Sequence, residues 1–291
     1  MAARVTFRSA TWRAPDRGAE RDARSDALRR EADRAAERAY WHETGARLRA
    51  AQATSFARLY SDEVHRHLVE RWWPSSPVRA ALKTDLFEEA CGAGLAAILT
   101  ERARHVVAID IAAGTAVAAR ARHGDLRVVE ADVRALPFRS ASFDVAVSSS
   151  TLDHFASRAE IAGSLRELAR VLRPGGTLIL TLDNPANPLL ALRRAVPRLW
   201  RALGIVPYRV GATLGPRALR HALAAASFRT DELAAVMHVP RFPAAVVARL
   251  PRSEPGAGGA LARGLLRFER LGDWPTRFLT GHFLAALAVR V

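Results

Sequence analysis

The residues best placed to do chemistry are the run FEEACGAG at 87–94 and the acids that follow it. Gly92 and Gly94 lack a Cβ, so the backbone can bend sharply there and let a ligand approach closely. Asp110 lies 16 residues beyond Gly94, at the end of an apolar run, where a carboxylate can accept hydrogen bonds from two ribose hydroxyls. Asp132 and Val133 follow the next apolar run, within reach of an adenine edge. Two ligand classes suit a glycine turn followed by an acid. Gly92-x-Gly94-x-x-Ala97 satisfies the dinucleotide pattern, with Asp110 near the expected offset. Glu88 and Glu89 discriminate between the classes. Carboxylates beside the turn repel a pyrophosphate but suit the ammonium of the methionine moiety of S-adenosylmethionine (SAM).

These residues need a scaffold that brings strand ends together. Short apolar runs predict strands at 84–89, 106–110, 127–130, 143–148 and 176–182, with helices at 94–102, 113–122 and 158–172. Such alternation implies a parallel sheet covered on both faces. Glu88 and Glu89 then close the first strand, and Pro174-Gly175-Gly176 forms a tight turn feeding the last. Upstream, 1–18 reads as a loose arm and 19–40 as a solvated helix or charged disorder. Residues 44–71 read as helix, with Phe56, Leu59, Tyr60, Val64 and Leu68 forming one apolar stripe. Downstream, 184–225 precedes a strand at 231–239, a helix at 258–271 and a final strand at 282–291.

Charge is unevenly placed. The chain carries 44 Lys+Arg against 29 Asp+Glu, net +15, but residues 83–183 are near neutral at −1 while 184–291 hold +11. Lys83 is the only lysine, so arginine bias accounts for part of the excess. No apolar run approaches 18 residues, which argues against a membrane span. A single cysteine, Cys91, excludes an intramolecular disulfide and a cysteine-cluster zinc site. With no apolar leader and an acid-rich start, the expected location is the cytoplasm. His65 and His67 point to different helix faces and make a poor metal pair.

EEACGAG, VVAIDI, EADVRALPFRSASFDVAVSSSTLDH and LRELARVLRPGGTLILTL, in this order, resemble a class I SAM-dependent methyltransferase of the small-molecule type 11 kind. The resemblance covers roughly 83–183. It implies an α/β, Rossmann-like, seven-stranded and mostly parallel sheet with helices on both faces. It implies SAM as cofactor, with Glu88 toward the methionine part and Ala90, Gly92 and Gly94 in the turn. Asp110 and Ile111 fall at the ribose, Asp132 and Val133 at the adenine, and Ser148 and Ser149 beneath the methyl group.

Around that core the expected organisation is an arm at 1–40, a helical lid at 41–82, the SAM core at 83–183, a helical substrate cap at 184–230 before strand six, and a sheet-completing part at 231–291. His154, with Asp153 beside it, is the candidate general base or substrate anchor; a rim histidine is the plainer alternative. SSSTLDH after the fourth strand departs from the D/N-P-P-Y/F pattern, which argues against methylation of a nucleobase amino group. The expected acceptor is a small or lipid-linked molecule methylated at oxygen. Arg193, Arg194, Arg198 and Arg201, interleaved with Leu and Trp, offer a peripheral membrane contact or a solvated cap face. The rival readings are an RNA methyltransferase using the basic C-terminal region, a non-catalytic SAM-binding protein and an NAD-dependent oxidoreductase. RNA is disfavoured because no stacking module is evident.

Overall fold

The computed structural model describes residues 17–52, 56–196, 200, 208–239 and 263–291, and the chain divides into two units, 1–40 and 41–291. Residues 1–16 of the expected arm, 53–55 of the expected helix 44–71, and 197–199, 201–207 and 240–262 lie outside the described residues. In the second unit seven strands build one sheet: β1 (Val78–Thr84), β2 (Ala103–Asp110), β3 (Arg127–Glu130), β4 (Phe143–Ser149), β5 (Leu172–Asp183), β6 (Phe228–Val236) and β7 (Phe283–Arg290). Their order is β3-β2-β1-β4-β5-β7-β6. β1 to β5 pair in parallel, and β7 runs antiparallel to both β5 and β6.

Helices cover both faces because successive strand residues point opposite ways. Leu178, Leu180 and Leu182 of β5 join one core with Ile161, Leu165 and Leu168 of α6 (Arg158–Val171) and Leu219 and Leu223 of the helix Pro216–Ala225. Ile179 faces the other core. There Leu68, Val69 and Trp72 of α2 (Phe56–Trp72) pack with Leu99 of α4 (Ala96–Arg102), Ala119 of α5 (Ala113–Arg122), Val145 and Val147. All seven residues of β4 are buried, as a strand covered on both sides requires. Ser157 and Glu160 start α6 with a reciprocal capping box.

Several boundaries differ from the sequence reading. The first strand is Val78–Thr84 rather than 84–89, and Glu88 and Glu89 lie on a short helix, α3 (Phe87–Cys91). Asp85 causes the shift: its φ of 78° takes the chain out of the strand, and its Oδ1 accepts from Phe87 N at 2.8 Å to open the helix. Pro174-Gly175-Gly176 lies inside β5, where the register with β4 slips between Phe143 and Val145. β6 begins at Phe228 rather than 231, because Ser227, at φ 63°, turns the chain straight out of the preceding helix. The long helix α1 (Arg17–Gln52) joins segments read as separate. Residues 266–273 form a 3-10 helix. The helix Pro216–Ala225, expected in the cap, belongs instead to the layer covering the sheet.

Asp144 locks the base of β4. It is 8% exposed, its Oδ2 accepts from Ala80 N at 3.0 Å and from Arg79 N, and its Oδ1 meets Arg173 Nη1 at 2.8 Å. Asp144→Ala strands these amides and is expected to cost about 2–4 kcal/mol. Urea denaturation checks this, and a loss below about 0.5 kcal/mol, the range of an ordinary surface change, contradicts it.

Candidate functional site

Strand order reverses between β1 and β4, and ligands of open α/β sheets bind at the carboxyl ends of strands at such a point. Thr84 ends β1 beside Ile109 and Ser148. Asp110, one residue on, ties two turns together. Its Oδ2 accepts from Leu86 N at 2.9 Å and its Oδ1 from Ala112 N at 2.7 Å. Each oxygen keeps a further lone pair. Burial lifts its pKa to about 6, against the pull of the two amides. Burial, and then Asp110 itself, holds Asp85 well above the ordinary carboxylate range.

Beneath the turn lies a buried ion pair. Lys83 and Glu89 side chains are 1% and 0% exposed, with Nζ 3.3 Å from Oε2. Lys83 Nζ also donates to Asp85 O at 2.8 Å and Ser149 Oγ at 3.3 Å. Burial opposes the ammonium charge, but Glu89, Glu88 and Asp85 outweigh it and keep Lys83 protonated. Glu89 Oε1 accepts from Leu95 N at 2.8 Å, closing the glycine turn. Gly94 has φ +50°, and a Cβ there would lie 2.5 Å from Glu89 Oε1. Glycine is therefore required at 94 both for conformation and for space.

α2 roofs this turn with Arg58, Asp62 and His65, spaced along one helix face. The Arg58 guanidinium ion-pairs with Asp62 and sits 2.7 Å from where a Gly92 Cβ would project. His65 Nδ1 lies 3.0 Å from Glu88 Oε1, and His65 Nε2 lies 3.5 Å from Thr181 Oγ1. Burial and then Glu88 push Asp62 up to about 8. A small cavity under α2 is lined by His65, Leu68, Leu95, Val147, Ser149 and Thr181, among others. On the β2 side, Arg49 of α1 donates to Thr115 Oγ1 at 2.8 Å, and His42 lies against Gly114.

Beyond β4, a 3-10 turn, Leu152–His154, carries the candidate base. The His154 ring lies 4.8 Å from Trp41 and 5.6 Å from Tyr208, centroid to centroid. Asp153 does not orient it. Asp153 is 3% exposed and accepts from Asp183 N at 2.7 Å and Ser150 Oγ at 3.0 Å, binding the turn to β5. Burial and then Asp183 raise its pKa. Arg193 is also inward: it is 9% exposed and ion-paired with Asp183, so it is not part of a solvated arginine face.

Residues 87–180 match the family described as a methyltransferase domain. Over 142 residues the chain is 29% identical to a probable S-adenosylmethionine-dependent methyltransferase of Mycolicibacterium smegmatis, covering 45% of this chain and 54% of that protein. It is 33% identical over 150 residues to a demethylmenaquinone methyltransferase of Mycobacterium tuberculosis, covering 47% and 62%. The fold is shared with a SAM-dependent methyltransferase of Thermotoga maritima, at TM-score 0.58 and 15% identity over 87% of this chain and 100% of that one. It is also shared with a geranyl diphosphate C-methyltransferase of Streptomyces coelicolor, at TM-score 0.52 and 13% identity over 79% of each chain. Residues 87–180 form a domain of the class I SAM-dependent methyltransferase kind. The alignments to the curated relatives span about half of those proteins' length.

In this methyltransferase domain the turn after β1 is tied to the end of β2 by Leu86 N donating to Asp110, while Ala90 O accepts from Arg122 Nε at 3.0 Å and Gly92 O lies 2.8 Å from His123 Nε2, at the end of α5. Ala131 N donates to Asp110 O at 3.0 Å, which brings Asp132 and Val133 alongside. The Asp132 carboxylate is gripped by Arg134, whose other arm reaches Glu160 at 2.7 Å. Ser148 and Ser149 are buried and engaged by Thr84 and Lys83, so they brace the two central strands. Arg58, Asp62, Lys83 and Asp85 were not singled out from sequence. Their signals were available: polar residues at 58, 62 and 65 share a helix face, and a lone lysine stands in an otherwise all-arginine chain. Among the described residues no group of histidines, cysteines and carboxylates is arranged to hold a metal, and no helix is long and apolar enough to cross a membrane.

Proposed function

We propose that this protein transfers the methyl group of SAM to a small, hydrophobic or lipid-linked acceptor, at oxygen. The observation that carries the reading is the cradle at the sheet's switch point. There the turn of Gly92 and Gly94 closes tightly under Arg58 and over Glu89, the Asp110 oxygens each keep a free lone pair, and among the described residues the buried Asp62 Oδ1 has no hydrogen-bond partner. Those features fit SAM, which supplies an electrophilic methyl on a sulfonium. Asp110 accepts from the ribose hydroxyls, with Ile111 beside it. Val133 and Asp132 face the adenine, Asp132 sharing its charge with Arg134. Glu88 draws the methionine ammonium, and Ser148 and Ser149 hold the floor of β4 in register.

Methyl transfer is an in-line displacement, so alignment and a dry site carry most of the acceleration. Residues 41–82 act as a lid, 83–183 as the core, the non-layer part of 184–230 as the acceptor wall, and 231–291 completes the sheet. His154, framed by Trp41 and Tyr208, takes the acceptor hydroxyl proton. The names of two similar proteins, acting on demethylmenaquinone and geranyl diphosphate, support a hydrophobic acceptor. Leu189 and Leu192, 56% and 52% exposed on the helix Pro188–Ala195, give that acceptor a lipid-facing approach.

Calorimetry with S-adenosylhomocysteine (SAH), and labelled SAM with cell extract, test the reading. SAH binding with transfer of label to a small organic-soluble product supports it. NAD binding without SAH binding, or label in RNA, overturns it. With the acceptor in hand, His154→Gln is expected to lower turnover by about 10²-fold or more with SAH affinity unchanged. An unchanged turnover makes His154 a rim residue.

A further inference from the structure

The helix that follows β5, α7 (Pro188–Ala195), is built inside out. Every exposed residue from 188 to 196 is apolar, and Leu189, Leu192 and Val196 fall at steps of three and four on one face. The charged residues turn inward instead. Arg193 is buried on Asp183, and Arg194 Nη1 donates to Gly211 O at 2.7 Å. A helix on a water-facing surface carries the opposite arrangement. This apolar face has a neighbour. Asn187 caps α7, its Oδ1 accepting from Leu189 N at 3.0 Å, while its Nδ2 donates to Thr280 O at 3.1 Å. Asn184 Nδ2 donates to Phe278 O at 2.7 Å. The carbonyls on either side of Leu279 are thus pinned to the start of α7, and Leu279 is itself 53% exposed. Earlier in the same segment, Trp274 and Phe268 are 59% and 45% exposed.

Both segments leave the sheet at the edge that holds the candidate site. β5 ends at Asp183, opposite Phe283 at the start of β7, and β1 and β4 run parallel to β5 and end at the same edge. The charge around the apolar residues is positive. In the 3-10 helix 266–273, Arg267 and Arg270 are exposed, while Glu269 turns inward to accept from Met237 N and His238 N. Asp273 is the one exposed acid between 263 and 280. Residues 184–291 carry +11 in all. A second copy of the chain sets like charge against like, and a nucleic acid finds no hydrogen-bond donor among the side chains of the outer α7 face. An anionic bilayer suits both features, since leucine and aromatic side chains enter its interface and arginines meet its phosphates. We propose that the outer face of α7, together with 267–279, docks this chain on an anionic membrane surface. The proposal deepens the hydrophobic-acceptor reading and rests on it for one point, that the docked edge receives a lipid-linked substrate directly from the bilayer.

Flotation of the full chain with lipid vesicles is the test. Vesicles of phosphatidylglycerol and phosphatidylcholine in equal parts should hold the protein about tenfold or more tightly than phosphatidylcholine alone. Leu189→Gln with Leu192→Gln should weaken that binding by about tenfold or more, with the thermal unfolding temperature unchanged. Arg267→Gln with Arg270→Gln should weaken it by about fivefold for each arginine. Trp274 gives a reading at the surface itself. Brominated phosphatidylcholine in the anionic vesicles should quench wild-type fluorescence, and Trp274→Phe should remove part of that quenching. Should the leucine variant fail to fold, this comparison decides. Vesicle binding that the leucine exchange leaves unchanged is adsorption by net charge alone and overturns the proposal. Quenching that is identical in wild type and Trp274→Phe overturns it too. So does a wild-type dimer, seen by light scattering and broken by the leucine exchange, which gives the face to a second copy. A chain that docks by these criteria but binds no SAH supports the surface and overturns the SAM reading. A chain that binds SAH but not anionic vesicles overturns the surface and leaves the SAM reading standing.

Discussion

Lys83→Met unfolds more easily than wild type by about 3–5 kcal/mol, the usual cost of removing one partner of a buried ion pair. Methionine fills most of the lysine volume, so the loss is electrostatic rather than a cavity. It leaves Glu89, 0% exposed, without its cation, and frees Asp85 O and Ser149 Oγ from their shared donor. Glu89 is also the acceptor that closes the glycine turn on Leu95 N, so the damage reaches the cradle. Thermal unfolding should fall by roughly 10 °C for a domain of this size. The double variant Lys83→Met with Glu89→Gln should recover part of the loss, because no charge is left stranded. A single variant as stable as wild type would show that this pair contributes nothing net to the fold.

Asp110→Asn weakens SAH binding by about 100-fold. Hydrogen bonds to a charged group contribute about 1.5–3 kcal/mol each, and the change removes the charge and one of the two acceptor oxygens. Near-ultraviolet circular dichroism checks that the turn persists, since one of the Leu86 and Ala112 amides then faces an amide NH2. The same carboxylate sets a pH dependence. Its pKa of about 6 means that free protein carries a proton there below that pH, and ligand hydroxyls favour the ionised form. SAH affinity should therefore rise from pH 5 to about 6.5 and then level, with the rise absent in Asp110→Asn. The stability sign is opposite. The folded pKa lies above the unfolded value, so the Asp110 contribution is full below about pH 4 and is lost as pH rises through 6. An affinity flat from pH 5 to 7 in wild type contradicts the ribose role.

The α/β core was legible because β2, β3, β4, α5 and α6 carry clean periodicity with glycine, proline or capping residues between them. The stretch from 78 to 91 was not. VRAALKT is a strand that ends in charge, and TDLFEEA inserts a helical turn where a strand end was expected. A single positive-φ aspartate makes that difference, and nothing in hydrophobic period announces it. Glu88 and Glu89 were read together, yet neighbours on a helix point apart: one meets His65 and the other is sealed against Lys83. His65 was weighed only against His67, while the groups it meets are Glu88 across the turn and Thr181 of β5. Asp153 adjoins His154 in sequence, but its side chain is committed to β5, a tertiary choice that spacing does not encode.

The burial of Lys83 has a practical reach beyond the fold. All other basic side chains that bear a fixed charge are guanidinium groups, so lysine-directed chemistry has one internal target, and the native sheet conceals it. Acylating reagents should leave that amine unmodified until the central strands part. The rate of its labelling then follows opening of the cofactor edge, and bound SAH should slow it in proportion to the stability the ligand adds. A lysine-specific protease likewise has one internal cleavage point, between Lys83 and Thr84, and two fragments appear only as fast as the core opens. The chain thus carries a built-in chronometer for its own breathing, placed at the end of β1 beneath the glycine turn.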